Sequence, residues 1–275
     1  MNAGLPSRYR VPGLERGLQI LQLFDRQHTR LSPPDMARAL GIPRSTVFRL
    51  VQTLEQLGFM ERRDSVYQLG PAVLRLGFEY VASLAITDVA RPAMEALRDE
   101  TGFSAQMVIR DGRDAVCVLK AASTSAFVSN VNVGTRLPAH ATVLGRMLLC
   151  DLPERELRAI FTETRLPSHS PQTPKTLAEL ARLLRQDRAR GYAVSDSFFE
   201  HSISAIAAPV RDQSGKVVAA IGLTVPQPRI EPDALRERLI RQVNTAAAQL
   251  AHRLNFRPAE AAWLQSQQIF LQRSK

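Results

Sequence analysis

The 275-residue chain has only two cysteines, Cys117 and Cys150, each inside an apolar run (AVCVL and RMLLCDL) where a thiol behaves as a small hydrophobe. No disulfide framework is indicated. No apolar stretch reaches the ~20 residues that span a bilayer, and MNAGLPSRYR lacks the apolar segment of a secretory signal. A cytoplasmic protein with no membrane partner is expected. The five histidines, His28, His140, His169, His201 and His252, are scattered, with no HExxH and no closely spaced cysteine–histidine set. GxSxG and a phosphate-cradling GxxxxGKS or GxxxxGKT are absent as well, which removes the usual nucleophile-elbow and nucleotide readings. No cofactor or metal is expected, and an enzyme acting through the C-terminal half stands only as the alternative. His140 is its best catalytic suspect; with no partner nucleophile, it is read as helping to cap the helix that follows. No internal repeat is evident.

What is present is ordinary globular composition, 45% hydrophobic and 23% charged, in a chain longer than one compact core usually serves. Two domains are therefore expected. The formal net charge of +10 suits a partner bearing phosphates without proving one.

In LERGLQILQLF, the residues Leu14, Leu18, Leu21 and Phe24 fall near the spacing of one helical face. Ser32 then precedes PPDMARAL, an N-cap oxygen followed by prolines in the first turn, with Met36, Ala37 and Leu40 inward. Gly41-Ile42-Pro43 breaks this second helix. A third, RSTVFRLVQTLEQLGF, repeats Val47, Leu50, Val51, Leu54 and Leu57 at helical spacing and stops at Gly58. FMERR, a turn at Asp64-Ser65 and VYQLG read as a hairpin. Helix, turn, helix and two-stranded wing make one small DNA-binding unit over 1–70. A connecting helix over 71–86 carries Val73, Leu74, Leu76, Phe78 and Val81 around more of its girth than one buried stripe needs. It packs either against a second copy of itself or between its own two domains.

The remainder, 87–256, mixes strands with flanking helices and reads as one antiparallel α+β domain. The stretch TETRLPSHSPQTPKT is expected as an exposed loop. In FRPAEAAWLQSQQIFLQRSK, an amphipathic tail over 257–275 either docks or dangles.

A recognition helix turns polar residues toward base edges and an apolar side toward its own domain. Arg44, Ser45, Thr46 and Arg49, with Gln52 one turn on, occupy the polar side; Arg44 and Arg49 can reach guanine edges or phosphates. Phe48 is read as core, with a thymine methyl as the alternative contact. Arg62 and Arg63 lie where a wing follows the adjacent backbone or minor groove. Duplex DNA is the expected partner.

The ordered set LERGLQIL, LSPPDMARALGIPRSTVFRLVQTLEQLGF, YQLGP, VGTRLPAHATVLGRMLL, RGYAVSDSFFE and ISAIAAPVRDQSGKVVAAIGL resembles the IclR family of bacterial regulators from about Gly13 to Leu254. The resemblance implies a winged helix-turn-helix, a linker helix and a GAF-like α+β domain that binds a small organic acid. It further implies a homodimer or homotetramer on a palindromic operator. In relatives that bind a small oxoacid, two helix-start amides hold the carboxylate; Val143 and Leu144 occupy those positions. Ala205 stands where such relatives have a cysteine, and Gly222 and Thr224 where they have serines. Fewer polar groups imply a bulkier, more apolar ligand, an aromatic acid. Asp196, Glu200 and Ser204 are expected near the mouth, to orient a hydroxyl or form a lid; each is otherwise a water-exposed loop residue.

Overall fold

The computed structural model describes residues 10–25, 27–124, 131–196 and 202–255. The chain divides into two compact units, Met1–Ser83 and Leu84–Lys275.

In the first unit α1 (Pro12–Gln22), α2 (Pro33–Leu40) and α3 (Arg44–Gln56) are followed by a hairpin of β1 (Met60–Arg63) and β2 (Val66–Leu69) and by α4 (Ala72–Ser83). The Ser32 side chain accepts from the Asp35 amide and so caps α2, and Pro33 and Pro34, which have no N–H, leave no unpaired donor at the first two helical positions. Gly41 closes the helix at φ 64°, the left-handed turn that sets α3 across α2. Ile20, Met36, Val47, Val51, Met60 and Tyr67 form the core. A side chain at Gly70 would lie 2.3 Å from the Gly58 carbonyl oxygen, so only glycine lets the end of the wing close against the end of α3.

Of the four residues on the predicted face of α1, Leu21 and Phe24 pack against this core while Leu14 and Leu18 are exposed, and the helix buries Gly17 and Ile20. Phe48, read as core, is 53% exposed on α3. Leu74, Leu76 and Tyr80 of α4 are also exposed.

The second unit holds a six-stranded antiparallel sheet. Its strands are β3 (Ser104–Asp111), β4 (Asp114–Ala121), β5 (Arg136–Pro138), β6 (Ala193–Asp196), β7 (Ser204–Arg211) and β8 (Val217–Val225), in the order β5-β4-β3-β8-β7-β6. One face packs on α5 (Ala85–Thr101) and α9 (Asp233–Asn255). The other carries α6 (Val143–Leu149), with α7 (Glu154–Ile160) and α8 (Leu177–Arg190) outside it. Strand residues alternate between the two cores: Met107, Ile206 and Ile221 toward α9, Val108, Ala207 and Ala220 toward α6.

An ion pair fixes the outer layer. Arg146 of α6 donates to Asp187 of α8 at 2.7 Å, with the two side chains only 3% and 4% exposed. The loop between α7 and α8, expected in solvent, is partly inside: Leu166 and Thr173 are buried, and Thr173 accepts from the amides of His169 and Ser170.

Candidate nucleic-acid interface and ligand cavity

The apolar side of α3, Val47 and Val51 with Leu54, is spent on the core, so the opposite side is displayed by helical periodicity. Arg44, Ser45, Phe48, Arg49 and Gln52 are exposed, and Thr46 is half-buried. The side chains of Arg44 and Arg49 make no hydrogen bond or ion pair with any described residue, so two guanidinium groups stand free on one helix face; the backbone carbonyl of Arg49 accepts from the Thr53 hydroxyl. In the wing, Arg62 donates from Nε to the Asp64 carbonyl at 2.9 Å, and Arg63 lies 3.7 Å from Glu61. Both are exposed but tethered; Arg62 closes a turn whose Asp64 has φ 57°.

In the second unit a recess opens at the start of α6. Val143 and Leu144 line it, with Ala205, Thr224, Val131, Leu137 and Ile203 around them. Thr142, Gln106 and Ser195 add polar groups. Thr142 accepts from the Gly145 amide at 3.1 Å and caps α6, leaving the first-turn amides of Val143 and Leu144 without partners inside the helix. Gly145 allows this geometry, because a Cβ there would sit 2.3 Å from the Cα of Ala139. Thr224 donates to Gln106 Oε1 at 3.2 Å in the buried end.

Strand parity separates the expected ligand residues. Ala205 and Thr224 face the recess; Gly222 shares their side of the sheet but does not line it. There a Cβ would meet the Ile206 carbonyl oxygen at 2.3 Å, so the glycine lets β7 and β8 approach. Asp196 and Ser204 fall on the opposite face, against the expectation that they stand at the mouth. The Ser204 hydroxyl donates to Asp196 at 3.4 Å, and Asp196 accepts from Arg236 of α9 at 2.8 Å. Their neighbours Ser195 and Ala205 take the cavity side. Glu200 lies outside the described residues. Gln106 was missed, although a lone amide in the apolar strand FSAQMVI was a visible signal.

His140 does not cap α6, since Thr142 does. It is buried, and its Nε2 donates to the Pro167 carbonyl at 2.9 Å, pinning the α7–α8 loop; its Nδ1 is buried without a partner. Burial holds its pKa below the ordinary imidazole value. Burial likewise pushes both thiols up to about 11, so they are protonated at neutral pH. Among the described residues no three His, Cys, Asp or Glu side chains gather as a metal set, and no helix is long and apolar enough to cross a membrane.

The model of the bacterial transcriptional regulator IclR C-terminal domain matches residues 78–252, and that of the IclR helix-turn-helix domain matches 13–64. The chain belongs to the IclR family. The Pca regulon regulatory protein of Pseudomonas putida is 30% identical to this IclR-family chain over 245 residues, 89% of this chain and 84% of its own. The regulator XynR of Escherichia coli is 30% identical over 248 residues, covering 90% and 98%. Among solved structures, a transcriptional regulator from Rhodococcus sp. RHA1 is 33% identical with a TM-score of 0.77, over 89% of this chain and 98% of that one. The protein is thus an IclR-type transcriptional regulator with a DNA-binding helix-turn-helix and an effector-binding C-terminal domain.

Proposed function

We propose that α3 enters the major groove of an operator, and that an aromatic or other organic acid in the α6 recess controls the affinity. The free guanidinium groups of Arg44 and Arg49 carry this reading. On a displayed helix face they can form bidentate bonds to guanine edges or charge-assisted bonds to phosphates. Ser45, Thr46 and Gln52 supply hydroxyl and amide contacts beside them, and exposed Phe48 is placed to meet a thymine methyl. Arg62 and Arg63 follow the flanking backbone, Arg62 with the donors left after it has closed its own turn.

The exposed apolar side chains of α4 support a homodimer, itself able to pair into a tetramer, on half-sites about one helical turn apart. The ligand reading rests on the recess: apolar walls with polar side chains at few points suit a bulky acid. Val143 and Leu144 offer amides to its carboxylate, and Thr224 with Gln106 meets a polar group at the far end.

The test is a gel shift with the DNA upstream of the chain's own gene, repeated with a panel of aromatic and short aliphatic acids. Retardation abolished by Arg44→Ala with Arg49→Ala, and altered by an aromatic acid, is expected. No retardation at low salt contradicts the DNA reading, and a response to short oxoacids alone contradicts the ligand reading.

A further inference from the structure

We propose that the recess selects a monocarboxylate with a hydrogen-bond donor, a hydroxyl or an amine, at the end remote from its carboxylate. This rests on the reading of the recess as the effector site and adds the chemistry of its far end. One wall is a row across the sheet: Ser195 of β6 pairs with Ala205 of β7, which pairs with Thr224 of β8. All three line the recess. Ser195 and Thr224 are two strands apart, about 10 Å, and the short Ala205 side chain between them leaves room for the body of a ligand.

What the row recognises depends on where each hydroxyl proton goes, because a hydroxyl has one proton to give and two lone pairs. Thr224 gives its proton to Gln106 Oε1 at 3.2 Å. Both side chains are buried, Gln106 to within 1%. Gln106 reaches Thr224 on the diagonal because the residue directly opposite it on β8 is Gly222, which has no side chain to intervene. Toward the recess Thr224 therefore presents lone pairs, which accept from an O–H or N–H and repel a carbonyl or carboxylate oxygen. Thr142 is committed in the same way: its proton goes to the Pro138 carbonyl at 3.4 Å, and it accepts from the Gly145 amide. Charge points in the same direction. None of the described residues that line the recess is charged, so a second carboxylate would be buried there without a cation, at a high desolvation cost.

Isothermal titration calorimetry of the full chain with matched acids tests this. The aromatic probes are benzoate, meta- and para-hydroxybenzoate, para-aminobenzoate, para-methoxybenzoate and terephthalate; the aliphatic ones are hexanoate, its terminally hydroxylated form and adipate. In the series that binds, a donor-bearing acid should bind about three- to tenfold more tightly than the plain acid, the worth of one neutral hydrogen bond. The methoxy acid and the diacids should bind no better than the plain acid. Thr224→Val should bring the ratio of donor-bearing to plain acid close to one, and Thr224→Ser, which keeps the hydroxyl, should retain it. Tightest binding by a plain acid, the methoxy acid or a diacid overturns the proposal while leaving the recess an acid site. A ratio that survives Thr224→Val overturns the role of Thr224. If no acid of the panel binds the wild type, the effector reading itself fails and the proposal falls with it.

Discussion

Replacing Arg146 by methionine removes one half of a pair that is almost wholly inside the protein. With charge centres about 4 Å apart, the lost attraction is ~4 kcal/mol at an effective dielectric constant of 20. Removal of one partner from a buried pair typically costs 3–5 kcal/mol, as it leaves an uncompensated charge. A melting temperature lower by about 10 °C follows for a unit of this size. The loss should depend on pH with a defined sign. Burial already raises the pKa of Asp187, and Arg146 provides the leading opposition, so its removal raises that pKa further. A carboxyl whose folded pKa exceeds its unfolded value of about 3.9 favours the fold when protonated. The variant should therefore recover stability relative to wild type as the pH falls from 7 through that raised value. Changing both residues, Arg146→Met with Asp187→Leu, should restore most of the loss, since an apolar pair of similar volume avoids both desolvation costs. Urea and thermal unfolding followed by circular dichroism supply all the numbers. A single-variant loss below about 1 kcal/mol, or one that grows on acidification, refutes the reasoning.

Three shorter predictions accompany it. Ser32→Ala should cost about 1 kcal/mol in the stability of the first unit, measured by urea titration, because the start of α2 loses the hydroxyl that accepts from the Asp35 amide and donates to the Asp35 carboxylate. Gly145→Ala should abolish ligand-induced thermal stabilisation, because the new methyl group collides with Ala139 and must displace the start of α6. His140 is held below its ordinary pKa, so its contribution is present above about pH 6.5 and is lost as the pH falls through the depressed folded value. His140→Asn should flatten that part of the stability profile.

The DNA-binding unit was legible because its devices are local. The Ser32 cap, the prolines of α2, Gly41 and the wing turn each act within a few residues of chain. What failed was global. Periodicity identified apolar faces on α1 and α3, but not how much of each a core of limited width would accept: Leu14 and Leu18 stay exposed beside Leu21 and Phe24, and Phe48, read as core, is exposed as well.

In the second unit strand identities were readable from apolar runs and turn residues. The parity that sends Ser195 and Ala205 to the recess, and Asp196 and Ser204 to α9, depends on which helix covers which face. Gln106 illustrates the same point: its amide is conspicuous in sequence, but its bond to Thr224 joins strands more than a hundred residues apart. Likewise, the partnership of Arg146 with Asp187 follows from the packing of α6 on α8, which neither segment encodes alone.

The central claim is that the displayed side of α3 lies against duplex DNA, and the salt dependence of operator affinity tests it most directly. For the wild type, log K should fall linearly with log salt, at about 0.9 per phosphate neutralised. Arg44→Ala with Arg49→Ala should make the slope shallower by about 1 for each arginine on a phosphate, or cost ~1–3 kcal/mol for each one reading a base. The same slope and the same affinity in wild type and double variant would contradict the account.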